Sequence, residues 1–436
     1  MIDWTLFPIP ESIDPEDYVI ATYLIQSPAG MDTLTRMAAI AVGQTTGTWW
    51  PVPEETPEVR RQHVGRIIGM WEIPDYEGEL SPEIKIRQFV VQIAYPEVNF
   101  GEQIPMLLTT VIGNISGSAL KMIDLWLPKR FTAAFTGPKF GIEGVRKLLG
   151  VPKRPLLNNM IKPCTGFTPE VGAKLFYEAA RAGVDIIKDD ELLADPCFCP
   201  RQERVKLYME AVERAKQEKG ENTLFTVNVT DRPDKVRDNA YRAIEAGANA
   251  LMINYLTAGI ASLQILAEDP NINVPILAHP DFVGAMTASP VTGVASHVIL
   301  GKLARLAGAD MIIIGAPYGK FAVLRDKYMK LAFALRQPFH HIKPTFPMPG
   351  GGVNPGMVSA LVADLGYDFI VAAGGAVHGH PMGPAAGARA LRQAIDAAME
   401  KVPIRQYAED KPELQAALAV WGTTEEGQAK KLFDIR

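Results

Sequence analysis

The chain has 436 residues, 47% hydrophobic and 21% charged, a balance that excludes a disordered or fibrous protein and provides for two or three domains. Lys and Arg total 44 against 49 Asp and Glu, a net charge of −5, so no general basic field is offered to nucleic acid. Three cysteines, Cys164, Cys197 and Cys199, are too few for a disulfide framework. No apolar run reaches the roughly 18 residues of a membrane span, and no cationic, apolar leader opens the chain. The expectation is a cytoplasmic protein with neither a membrane nor a nucleic-acid partner.

Residues 1–145 read as a compact α+β domain of ferredoxin-like kind. Asp17–Ser27 and Lys85–Pro96 alternate as half-buried strands, Met31–Ala41 and Glu102–Thr110 carry a helical period, and Leu120–Leu127 is a further apolar run. Residues 146–436 follow another pattern, in which eight short apolar runs alternate with helical segments. The runs are Leu156–Lys162, Val184–Asp190, Leu224–Val229, Ala250–Tyr255, Val274–His279, Asp310–Gly315, Thr345–Gly350 and Asp368–Gly374. Each is nearly continuous in apolar residues, as strands buried on both faces are. Pro169–Gly183 and Asp234–Gly247 close on Gly, as helices do. Eight such repeats predict a (β/α)8 TIM barrel and argue against an open doubly wound sheet. The more polar tail after Pro403 predicts short helices.

Barrel enzymes carry their reactive groups where strands end. The second run ends in Lys188-Asp189-Asp190-Glu191, and alternation puts Lys188 and Asp190 on one face with Asp189 turned away. A salt-bridged strand end is the plain reading of four charges; at a barrel mouth, Asp190 and Glu191 also suit a hard cation such as Mg²⁺. Lys188 as an ammonium repels that ion, whereas a carbamate formed with CO₂ adds an oxygen ligand. Lys162 ends the first run, where it either reaches solvent or, with its pKa lowered, exchanges protons. His279 ends the fifth run, with structural and functional roles equally open. Lys320 follows the sixth in a Gly-bracketed loop able to carry it over a ligand.

Gly350-Gly351-Gly352 and Gly374-Gly375 end the seventh and eighth runs, where barrels hold phosphate on backbone N–H groups. A phosphate ester is therefore the expected substrate class. His378 and His380 follow, either pairing on a metal or shaping a loop. Cys197 and Cys199 lack a second pair for zinc.

With these motifs the sequence resembles the RuBisCO superfamily across nearly the whole chain, and most of all its non-carboxylating, RuBisCO-like branch. The resemblance implies a Mg²⁺ site on carbamylated Lys188, Asp190 and Glu191, with Lys162, His279 and Lys320 as the catalytic lysines and histidine of the barrel. It also implies a homodimer, open to higher assembly, in which Thr46-Gly47-Thr48-Trp49 and Gly113-Asn114 complete the neighbouring subunit's site. Thr48 and Trp49 would then contact substrate, and Asn114 would join the catalytic set.

Departures from the carboxylase pattern are Cys164 for a second lysine, Gly43 for a glutamate, Gly350 for a phosphate-loop serine and Pro280 for an arginine that grips a second phosphate. A singly phosphorylated substrate follows, and carboxylation of a bisphosphate does not. His279–Pro290 resembles the diketo-methylthiopentyl-phosphate enolases of methionine salvage, yet Asn114 stands where those carry a lysine base. The reading ranked first is therefore a Mg-dependent lyase or isomerase working through an enolate, a decarboxylase of a β-keto sugar acid. The salvage enolase or a related isomerase, a Schiff-base aldolase on Lys162 and a silent binding member stand as alternatives.

Overall fold

The computed structural model describes residues 3–47, 50, 52–320 and 323–424. Among these are thirteen strands: β1 (Tyr18–Pro28), β2 (Arg66–Glu72), β3 (Ile86–Pro96), β4 (Leu120–Trp126), β5 (Leu156–Met160), β6 (Ile186–Lys188), β7 (Leu224–Asn228), β8 (Ala250–Asn254), β9 (Ile276–His279), β10 (Gly293–Val294), β11 (Met311–Gly315), β12 (Phe346–Gly350) and β13 (Ile370–Ala373). The chain divides into two compact units, one of residues up to 135 together with 282–303, the other of residues 136–281 and those from 304 on.

The first unit is built on a sheet of order β10-β4-β1-β3-β2. Its β4-β1-β3-β2 portion is antiparallel and ferredoxin-like, and β10 adds to β4 in parallel. Alternation in β1 buries Val19, Ala21, Tyr23 and Ile25 on one face. Helices Thr33–Gly43 and Ile104–Ile112 bury Met37, Ala41, Leu107 and Val111 in the same unit, and the Tyr23 hydroxyl donates to the Val111 carbonyl. Neither β2 nor the helix Pro57–His63 follows from the sequence reading. In β2 the pairing slips between Ile67 and Gly69, which breaks the period-two pattern that marks a strand.

All eight barrel runs form strands, in the parallel order β12-β11-β9-β8-β7-β6-β5-β13, and β12 lies against β13 to close the ring. Helices Pro169–Ala180, Arg201–Lys219, Val236–Glu245, Ile260–Glu268, Arg325–Arg336, Val358–Leu365 and Pro384–Glu400 alternate with the strands. The strands are shorter than the apolar runs, because residues such as Lys162 and Asp190 have already left the ladder for the mouth. The helix Gly141–Leu149 contributes Ile142, Val145 and Leu149 to the barrel core. That packing is why the second unit begins at Thr136, ahead of the boundary expected after residue 145. Short helices Ile404–Tyr407 and Pro412–Trp421 form the tail. No helix among the described residues is long and apolar enough to cross a membrane.

Candidate active site

Register decides which side chains face the barrel axis. Leu156, Ile186, Leu224, Ala250, Leu277, Met311, Phe346 and Ile370 fill its interior, so every second residue beyond them faces inward too. At the rim this gives Asp190, Asn228, Asn254 and His279 at the ends of β6 to β9, then Gly315, Gly350 and Gly374 at the ends of β11 to β13. One half of the mouth carries charged and amide side chains. At these rim positions the other half has only glycine.

The lysines and carboxylates of the first half are paired. Lys162 Nζ lies 2.8 Å from Asp190 Oδ2 and 2.8 Å from Cys164 Sγ. Lys188, 1% exposed, donates to Glu191 Oε2 and to the Asp189 carbonyl, both at 2.8 Å. Burial would raise the Glu191 carboxyl, but the Lys188 ammonium and His279 outweigh it and hold the group at about 2. Burial would likewise lower Lys162, yet its hydrogen bonds to Asp190 and Cys164 push it above the ordinary lysine value. The sequence reading made proton exchange at Lys162 conditional on a lowered pKa; the shift runs the other way, because its nearest charge is an anion.

This donor set fits a hard divalent cation on one condition. Asp190 and Glu191 are hard oxygens at the head of a buried strand, but the Lys188 ammonium occupies the place beside Glu191 that a cation would take. As a carbamate, Lys188 would offer oxygen there. A second grouping, Glu191, His279 and Asp281, brings its donor atoms within 4.8 Å of one another. His279 spans it, Nε2 at 3.3 Å from Glu191 Oε2 and Nδ1 at 3.1 Å from Asp281 Oδ2. Asp281 lies past the strand end, where the sequence reading did not look.

In the bare half, the loop after β11 rests on the glycines after β12. Lys320 N donates to the Gly351 carbonyl at 2.7 Å. A Cβ at Gly319 would meet that carbonyl oxygen at 2.3 Å, so only glycine allows the approach. A Cβ at Gly374 would come within 3.0 Å of Lys162 Cε, so the lysine stem runs through space left by glycine. Gly375 begins the short helix Gly375–His378. Thr48 and Trp49 lie outside the described residues. Asn114 belongs to the first unit, exposed at the start of the turn Asn114–Gly117.

Behind the mouth a polar scaffold holds the charged segment. Asp189 turns outward as expected and is fully committed there, 2.9 Å from Arg204 with both groups buried, while Asn228 N donates to it at 3.0 Å. Asn254 Nδ2 donates to the Glu191 carbonyl at 2.9 Å, and Asn228 Nδ2 to the Asp190 and Glu191 carbonyls at 3.3 Å. The β-strand alternation that identified Lys188 also places both asparagines inward, a signal the sequence reading left unused. His378 and His380 do not pair on a metal. His380 ties its loop to Met382 N and the Glu413 carbonyl, whereas His378 Nε2 lies 3.1 Å from Asn159 Nδ2. Burial and the nearby Lys162 charge push His378 down to about 4.

Residues 141–421 match the family model of the ribulose bisphosphate carboxylase large chain catalytic domain, and residues 10–131 match that of its N-terminal domain. The chain belongs to the RuBisCO superfamily, in its RuBisCO-like branch. It is 57% identical over 404 residues, 92% of each chain, to a ribulose bisphosphate carboxylase-like protein of Archaeoglobus fulgidus. It is 40% identical over 413 residues, 93% of this chain and 98% of the other, to a 2,3-diketo-5-methylthiopentyl-1-phosphate enolase of Geobacillus thermodenitrificans. The crystal structure of a rubisco-like protein (MtnW) from Alicyclobacillus acidocaldarius aligns with a TM-score of 0.85 at 38% identity, covering 93% of this chain and all of that one. A dimeric archaeal Rubisco from Hyperthermus butylicus aligns with a TM-score of 0.85 at 31% identity over 97% of this chain and 100% of that one.

Two outcomes follow for this RuBisCO-like barrel. Asp189→Asn leaves the Arg204 charge buried without its counterion and lowers the unfolding free energy by about 3 kcal/mol, read from denaturant midpoints; an unchanged midpoint would refute the scaffold role. Neutral, half-buried His378 makes the folded state bind fewer protons than the unfolded chain between pH 6.5 and about 4. Stability attributable to it is therefore full above pH 6.5 and falls on acidification. Between pH 7 and pH 5 the wild type should lose about 2 kcal/mol more than His378→Gln; equal losses would count against it.

Proposed function

We propose that this chain makes an enolate from a singly phosphorylated, sugar-derived ketone, with Mg²⁺ held by carbamylated Lys188, Asp190 and Glu191. The observation that carries the reading is the divided mouth, with paired carboxylates and lysines on one side and bare glycine backbone on the other. Mg²⁺ bound there would polarise a carbonyl and offset the charge developing on its oxygen. Lys162, kept as an ammonium by Asp190, pairs with substrate oxygen or returns a proton to carbon from Nζ. His279, braced between Glu191 and Asp281, orients the substrate or receives a proton at Nε2. Gly350, Gly351, Gly352, Gly374 and Gly375 leave room for a phosphate against backbone N–H groups, and Lys320 closes over it from the neighbouring loop. A Schiff base needs a neutral amine, and the Asp190 carboxylate disfavours one at Lys162.

Enolisation of a diketone phosphate comes first, because relatives of that activity align along nearly the whole of both chains. Loss of CO₂ from a β-keto acid, which the sequence alone ranked higher, is the second reading. It rests on Asn114, whose amide cannot take a carbon-bound proton. The proposal extends to a homodimer in which Thr48, Trp49 and Asn114 of one chain serve the partner's barrel. Dimeric archaeal Rubisco supports it.

The enzyme is assayed with Mg²⁺, with and without bicarbonate, on the diketo-methylthiopentyl phosphate and on phosphorylated β-keto sugar acids, following product, solvent deuterium uptake and CO₂ release. Activity should require both Mg²⁺ and CO₂ and vanish in Lys188→Ala. Full rate in CO₂-free buffer refutes the carbamate, and CO₂ release without diketone turnover favours the second reading. Mixing inactive Lys188→Ala with inactive Asn114→Ala chains should restore part of the activity. Exchange of subunits without recovery refutes sharing.

A further inference from the structure

We infer that the hydroxyl of Thr226 is the donor that holds the carbamate on Lys188, an assignment that rests on the carbamate reading above. Thr226 is fully buried, and its Oγ1 has no hydrogen-bond partner. Buried hydroxyls are rarely left so. Its direction is settled by register. Leu224, two residues earlier on β7, lies in the barrel core, while Phe225 packs outward on Phe176 and Tyr208. Thr226 therefore shares the inward face with Lys188, and the two are paired residues on neighbouring strands, whose backbones run about 4.8 Å apart.

Lys188 has one other paired neighbour, Met160 on β5. Met160 has no donor, and its sulfur already accepts from Asn158 Nδ2 at 3.2 Å. Of the two side chains flanking Lys188, only Thr226 can give a hydrogen to a new acceptor. A lysine ammonium is donor-only and offers that hydrogen no site. In carbamylation the Lys188 ammonium first gives one proton to solvent, the neutral amine's lone pair then forms an N–C bond to CO₂, one C=O π pair moves onto oxygen, and the nitrogen's second surplus proton also leaves to solvent. The product spreads one negative charge over two oxygens beside a hydroxyl that is otherwise unsatisfied.

The test uses the full-length protein with ¹³C-labelled bicarbonate and Mg²⁺, and reads the carbamate carbon by NMR as CO₂ is titrated, with Lys188→Ala as the blank. Thr226→Ser keeps the hydroxyl and should saturate as the wild type does. Thr226→Val, or Thr226→Ala should the valine variant not fold, should need about ten-fold more CO₂, the worth of one hydrogen bond to a charged group. A hydroxyl-less variant that saturates like the wild type overturns the assignment and leaves the carbamate reading standing. Absence of the labelled signal in the wild type overturns both.

Discussion

Four consecutive charges at the end of a buried strand are the constraint on which the barrel mouth depends. Taking charges out of water costs more than any one pairing returns unless each finds a partner with good geometry. Strand alternation provides the partners by sending neighbours in opposite directions. Asp189 goes outward to Arg204, Asp190 inward to Lys162, and Lys188 folds onto Glu191. Three ion pairs are thereby made from one short segment and two distant residues. The arrangement preloads the site with cations beside its carboxylates, which keeps Glu191 ionised far into acid.

The opposite half of the rim is built on glycine. Gly315, Gly350 and Gly374 leave the ends of β11 to β13 without side chains, and close approach of backbone to backbone fills part of that space, as at Gly319 on Gly351. A side chain at Gly374 would meet the Lys162 stem, and one at Gly350 would press on Ala372. On the function proposed above, charge on one side and bare backbone on the other would suit a molecule that carries its polar reacting group at one end and its anionic handle at the other.

Most of the barrel was legible because its signal is redundant. Eight apolar runs with Gly or Pro punctuation survive an error in any one of them, and period-two alternation places Lys188, Asp190 and Asp189 without a structure. Legibility failed where the determinants are not periodic. β2 is interrupted at its register slip, Asp281 lies one turn of chain beyond a strand, and the direction of the Lys162 pKa depends on an aspartate 28 residues away. Asn228, Asn254 and Thr226 had the same inward register as the charged residues, but amides and hydroxyls in an apolar run do not announce themselves as ionisable groups do. Histidines two apart, His378 and His380, suggested a shared ligand, and opposite directions in a tight loop gave them separate partners.

The two-residue strand β10 bears on how this molecule can be divided. It comes from the middle of the chain yet adds to the edge of the N-terminal sheet beside β4. A fragment ending near residue 135 would lack it and leave the backbone groups of β4 uncovered along that edge, which favours strand-to-strand association among copies. The N-terminal unit is therefore not a detachable cassette. Splicing it onto a foreign barrel would mean bringing the 282–303 excursion with it.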